Sequence, residues 1–307
     1  MISCNQWYST GNSKMIQNLE VFYQRSGSGK VLFCIHGFPS SSWDFEAIWP
    51  SLSNRFDVIA HDLIGLGKSS KTHIHLTVSL QADIIEGLAQ HLGIKEAHIL
   101  AHDLGDTIAQ ELLARQADGT SKIKWLTCVL FNGGIFPGTY QPLFIQKLLL
   151  SPLGPLVIKF MTKKAFKKSM VKIFSKQHPP SAEFIDETWK LTSENNGLAQ
   201  IPKLIQYMAE RKKYRERWVS PLVKGIVPIR LIDGADDPIS GRHMADRFVE
   251  IVPNADVVYI KNSGHYPHVE TPDEVVEAFF DFHDKLIESK LSADSPLGAG
   301  ASDDKKN

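Results

Sequence analysis

Six short apolar runs, each closed by a polar or glycine turn, constrain this chain more than any other feature. They are KVLFCIHG (30–37), FDVIAHD (56–62), AHILAHD (97–103), KWLTCVLFN (124–132), VPIRLIDG (227–234) and DVVYIKNSGH (256–265). Helical patterns such as VSLQADIIEGLAQHLG (78–93) separate several of them. A strand that is apolar along its whole length must be covered on both faces, and intervening helices supply that cover. The pattern therefore predicts a parallel sheet between helical layers. A last helix is marked by Thr271 as N-cap, Pro272 in the first turn, and Asp273 and Glu274 at the positive end of its dipole.

One interval breaks the alternation. More than ninety mostly helical residues separate VLFN from VPIRLIDG, and no acidic residue occurs between Asp118 and Glu183 while ten lysines do. Such a shift marks an inserted helical subdomain at 133–224, with the core at 1–132 and 225–291. The tail 292–307 is small and polar and is expected to be disordered. The lysines of 159–176 suit a solvated helix face. Their mixture with Leu, Ile, Phe and Met along 143–176 suits two further readings, apolar cap helices over a substrate channel or a helix lying at a membrane surface.

Totals exclude some functions. Lys plus Arg and Asp plus Glu are 34 each, so nothing points to nucleic acid. No window reaches the ~20 apolar residues of a membrane span. The opening MISCNQWYSTGNSK has neither a basic nor an apolar region of a secretory signal, and Cys34 and Cys128 lie inside apolar runs. A cytoplasmic protein with buried free thiols is expected. GLGKS (65–69) fails the phosphate-loop spacing because the first glycine would fall at Asp62, and His73 and His75 have no third ligand placed with them. Neither a metal nor another cofactor is expected.

The chemistry gathers at AHILAHDLGDTIAQELLAR (97–115), where a strand turns sharply into a helix. Small residues stand two before and two after the corner, Ala101-x-Asp103-x-Gly105, because the two flanking backbones approach closely there. This is a nucleophile elbow with aspartate at its centre. An acid cluster (Asp233, Asp236, Asp237) follows one later strand, and His265 follows the last, which is the order nucleophile, acid, histidine. Asp237 is the chosen acid, three residues after Gly234 and before Pro238. Asp106 reads as a first-turn acid serving the helix dipole.

A carboxylate attacks esters poorly but opens strained or activated sp³ carbon well, forming an alkyl ester. His265 would then activate water against that ester, with the backbone N–H groups of Leu104 and Phe38 holding the oxyanion. The expected substrate is a small apolar molecule with an electrophilic sp³ carbon.

HGFP, DLIGLGKS, HDLGD and SGHYPHVETP resemble the motifs of the α/β-hydrolase superfamily, in its branch of aspartate-nucleophile epoxide hydrolases and haloalkane dehalogenases. HDLGDTIAQELLAR, NGGIFPGTYQPLFIQKLL and LIQYMAERKKYRERWV are similar to the mesoderm-specific transcript proteins and their bacterial relatives, over roughly residues 30–285. The resemblance implies an α/β-hydrolase fold with a mostly parallel central sheet and a helical cap inserted after the sixth strand. It also implies two cap tyrosines that reach the epoxide oxygen, of which this sequence identifies one and departs from the pattern in offering no assigned second. Tyr207 matches one such position, and Tyr140 and Tyr214 are the insertion's other tyrosines. Dehalogenases hold the halide with an indole N–H after the nucleophile. Here Leu104 follows it and Phe38 fills the HGFP loop, and neither side chain donates. Epoxide hydrolysis is therefore ranked first, dehalogenation second, and a non-catalytic ligand-binding or scaffold member of the fold third.

Overall fold

A computed structural model describes residues 2–294. Its centre is one eight-stranded sheet of β1 (Asn12–Ile16), β2 (Leu19–Gly27), β3 (Lys30–Ile35), β4 (Phe56–His61), β5 (Glu96–His102), β6 (Lys124–Phe131), β7 (Ile229–Gly234) and β8 (Asp256–Ile260). The strand order is β1-β2-β4-β3-β5-β6-β7-β8. β1 and β2 pair antiparallel, as do β2 and β4, and every pair from β3 to β8 is parallel. The six apolar runs are β3 to β8. The first two strands form a hairpin that the pattern did not single out, since β1 is exposed along four of its five residues. Gln17 and Asn18, both at positive φ, make its two-residue turn.

Successive side chains of a strand feed opposite faces. Phe33 and Ile35 of β3 and Ile99 of β5 pack with the helices Val78–His91 and Leu104–Ala117 through Ile84, Leu88, Ile108 and Leu112. Leu32, Cys34 and Leu100 face the other way, toward Phe45, Trp49 and the closing helix Pro272–Asp294 with its Val275, Phe279 and Phe282. That helix runs to 294, three residues into the expected disordered tail; the tail from 295 onward lies outside the described residues. Cys4, Cys34 and Cys128 are free and buried.

The chain leaves β3 to build β4 on one side and then returns to build β5 on the other. Loops after adjacent parallel strands diverge at such a reversal and leave a crevice at the strands' carboxyl ends. The Phe38 loop and the elbow lie at that crevice. Between β6 and β7 the chain runs through helices that include Phe144–Leu150, Lys163–Val171, Ala182–Ser193, Tyr207–Lys213 and Arg215–Val223. Tyr207, Met208, Trp218 and Leu222 from this stretch join one apolar cluster of the sheet, and Phe166, Met170 and Phe184 join the other.

Candidate active site

Asp103 sits where β5 becomes the elbow helix Leu104–Ala117, at φ 48° and ψ −102°. A non-glycine residue at positive φ is strained and persists only where its surroundings over-determine it. The surroundings do so here. A Cβ on Gly105 would come within 2.2 Å of the Ile35 carbonyl oxygen, so only glycine lets the elbow close on β3. The Asp103 N–H donates to the Phe131 carbonyl at 3.2 Å, and its own carbonyl accepts from Arg211 Nη2 at 2.9 Å.

The carboxylate faces three donors. The Phe38 N–H donates to Oδ2 at 3.1 Å, and the Tyr207 hydroxyl lies 3.3 Å from Oδ1 and 3.5 Å from Oδ2. Arg211 Nη2 stands 3.6 Å from Oδ1. Leu104 opens the helix, so its N–H is among those without an intrahelical acceptor. Tyr207 and Arg211 are both buried, and the guanidinium lies 4.5 Å over the Tyr207 ring. Tyr140 donates to the Met208 carbonyl instead, and Tyr214 packs on Trp218 and is partly exposed. Tyr207 is thus the cap tyrosine that reaches the elbow.

His265 Nδ1 and Asp237 Oδ2 are 2.8 Å apart, both side chains buried. Asp237 also accepts the N–H groups of Ile239 at 2.8 Å and Ser240 at 3.1 Å and the Ser240 hydroxyl at 2.9 Å. Burial raises its pKa, but the His265 charge and these donors outweigh burial and hold it below the usual carboxylate range. The alternatives separate by position. Asp236 is exposed, and Asp233 is pushed up to about 8 by burial and by the Asp237 charge. His265 itself is lowered by burial, then raised further by Asp237, Asp103 and Glu270, to about 9.

Supporting residues that the sequence reading did not name hold these groups. Asn132, at φ 41°, accepts the Gly234 N–H at 2.8 Å and turns its amide toward Asp237 at 3.3 Å. Glu270 accepts the N–H groups of Gly264, Ser175 and Tyr266, which shapes the His265 loop. Both stand in motifs already quoted, VLFN and HYPHVETP. Arg211 is one cation among several in AERKKYRER, and nothing local distinguishes it.

Asp106 differs from its reading. It stands in the first turn but is fully buried, and burial and the Asp103 charge push its pKa well above the carboxylate range. His73 and His75 are exposed, whereas Asp44, His102 and His268 are buried with one ligand atom each within 4.8 Å of one another. Burial raises Asp44 to about 8 and lowers His102 to about 3. His102 Nε2 donates to the His265 carbonyl at 2.8 Å, tying the elbow to the histidine loop. Gly65 and Gly67 shape a turn after β4 around Asp62, which accepts the Ser42 and Lys68 N–H groups.

An apolar cavity lies under the cap. Leu149, Ile158, Met170, Trp189 and Ile201 line it, and Phe38 and His265 form part of its wall. The model of the alpha/beta hydrolase family matches residues 31–278. The chain belongs to that family. It is 35% identical to the human mesoderm-specific transcript homolog protein over 291 residues, which cover 91% of this chain and 87% of that protein. A haloalkane dehalogenase loop variant from Bradyrhizobium elkanii superposes with a TM-score of 0.78 at 18% identity, covering 92% of this chain and 99% of that one. An epoxide hydrolase superposes at 0.73 with 21% identity, covering 90% and 99%. At those identities the two structures speak for the fold alone. As a member of this family the chain is a hydrolase of the α/β fold.

Proposed function

We propose that the protein hydrolyses an epoxide on a small apolar molecule through a covalent Asp103 ester. One observation carries this reading: a buried carboxylate, not a hydroxyl, occupies the elbow with a tyrosine O–H at 3.3 Å and a His–Asp pair beside it. An Asp103 oxygen attacks an epoxide carbon, the C–O bond breaks, and the Tyr207 hydroxyl gives its proton to the leaving oxygen. A phenol suits this step because an alkoxide leaving group needs a proton, and burial beside Asp103 keeps Tyr207 protonated at neutral pH.

His265 then takes a proton from water as the water oxygen attacks Cγ of Asp103. The Phe38 and Leu104 N–H groups hold the oxyanion. Collapse expels the product alkoxide, which is protonated by His265, and the Asp103 carboxyl proton restores Tyr207. The sum is epoxide plus water giving a diol, with no cofactor.

Halide displacement is the second reading. Trp189 and Gln146 line the cavity and carry N–H donors of the kind a halide needs. The donors nearest Asp103, however, suit an oxygen.

His265→Gln separates the two halves of the cycle. With water unactivated, the ester should accumulate, and intact-protein mass spectrometry should find the mass of a turned-over epoxide on the peptide containing Asp103. No adduct with any substrate the wild type consumes would sink the mechanism.

A further inference from the structure

The stretch from Phe144 to Lys172 has two faces of different character. In the helix Phe144–Leu150, Ile145, Gln146 and Leu149 line the cavity. At 100° per residue the opposite side carries Phe144, Lys147 and Leu148, and Phe144 is 79% exposed. The short turns that follow bury Gly154 and Ile158 but expose Leu153, Leu156 and Phe160, the last at 76%. In the helix Lys163–Val171, Phe166 and Met170 point inward while Lys164, Lys167, Lys168 and Val171 are exposed. Single exposed apolar residues are ordinary, but two phenylalanines and two leucines within one short stretch form a patch that water disfavours.

Charge narrows what covers that patch. Lys147, Lys159, Lys163, Lys164, Lys167, Lys168 and Lys172 accompany it, and no acid interrupts the sequence from Asp118 to Glu183. Among the described residues Lys163 has an ion-pair partner, Asp186, and the other six have none. A second copy would bring the same positive face to a two-fold contact and be repelled. A nucleic acid would satisfy the lysines and leave the phenylalanines wet. An anionic bilayer satisfies both, phosphates against the lysines and the acyl boundary against the aromatic and leucine side chains. No helix among the described residues is long and apolar enough to cross a membrane, so the contact would be peripheral.

We propose that this outer cap face docks on an anionic lipid surface. The inner sides of the same helices line the cavity, so docking sets the cap between the bilayer and His265. The docking does not depend on which chemistry Asp103 performs.

The test is sedimentation of the full chain with vesicles of phosphatidylcholine alone and of phosphatidylcholine with phosphatidylserine. Binding is expected to the mixed vesicles, with little to phosphatidylcholine alone, and it should fall as salt is raised. The triple variant Lys164→Glu, Lys167→Glu, Lys168→Glu should lower the partition coefficient about tenfold or more. Phe144→Ser with Phe160→Ser should lower it independently, and both variants should keep the wild-type thermal midpoint because these side chains are exposed. Failure of the wild type to bind the mixed vesicles overturns the proposal, as does unchanged binding by folded variants. So would a concentration-dependent dimer, seen by size exclusion, that the double serine variant abolishes.

Discussion

Burial by itself would strip His265 of its proton, yet the Asp237 carboxylate at 2.8 Å, with Asp103 and Glu270, lifts the imidazole to about 9. At that value the imidazolium is favoured at neutral pH, and a cation cannot act as a base. Esterification of Asp103 removes one of the charges that raise His265, and the Arg211 guanidinium over the Tyr207 ring offsets the phenolate left there, so the His265 pKa should fall once the covalent intermediate forms. In single turnovers, ester hydrolysis should rise with pH through an inflection clearly below 9, while loss of the His265 charge in the free enzyme, followed by NMR, should centre near 9. Coincident inflections would refute the coupling. The same shift stabilises the fold. Because the folded value exceeds the unfolded ~6.5, the contribution is complete below that pH and is lost as pH climbs through about 9. Tyr207 offers a second test at this scale. Tyr207→Phe should cut epoxide turnover at least about tenfold, ~1.4 kcal/mol in transition-state stabilisation, while wild-type release of bromide from short bromoalkanes stays near background. Measurable bromide release with epoxide turnover indifferent to the substitution would favour displacement of halide.

Two helices far apart in sequence meet at Glu111, on the elbow helix. Its carboxylate accepts Arg217 Nε at 2.8 Å and Trp218 Nε1 at 2.7 Å from the helix Arg215–Val223, and Arg115 Nε at 3.0 Å from its own helix. Burial opposes its charge, but these donors outweigh burial and leave its pKa below the usual value. Arg115 also reaches Asp83 and Glu86 on the helix Val78–His91. Removing the charge at Glu111 would leave Arg115 its partners Asp83 and Glu86 and Arg217 its partner Asp118. Glu111→Gln should therefore destabilise the protein by only about 1–2 kcal/mol, the loss of charge-assisted hydrogen bonds to Arg115, Arg217 and Trp218. Urea unfolding reads this as a lower midpoint at similar slope, and an unchanged midpoint would show that the cap is held by its apolar contacts. Read from sequence, the elbow helix was legible as an element, whereas Arg215–Val223 was only part of a mostly helical insertion. HDLGDTIAQELLAR gave the elbow through its small-x-Asp-x-Gly corner, but nothing in it says that Glu111 faces Trp218.

Across the whole molecule, the readable parts are those whose physics is local. Continuous apolar runs can sit only in a strand covered on both faces, which set out β3 to β8; the exposed β1 carries no such mark and was passed over. The corner at Asp103 needs small neighbours wherever it occurs, and the order of Asp103, Asp237 and His265 follows from strand succession. Choosing Asp237 over Asp236 needed only its place in the turn, although the reason it matters, burial against His265 with two backbone donors, is tertiary. Tyr207 came from resemblance, and its approach to Asp103 across 104 positions is a result of cap packing. Asp106 looked like a helix-dipole acid because its position in the first turn is local information, whereas its complete burial is not. Arg211 could not be picked from AERKKYRER because a guanidinium is solvated or buried according to what folds over it. Only the packed cap, bringing Arg211 within 2.9 Å of the Asp103 carbonyl, selects it from its neighbours. Sequence by itself determined most of the elements, the elbow and the order of Asp103, Asp237 and His265 along the chain, since backbone sterics and apolar periodicity act over a few residues. Tertiary structure decided which distant donors surround the carboxylate, because burial and charge proximity depend on segments that meet only when the sheet and the cap have closed.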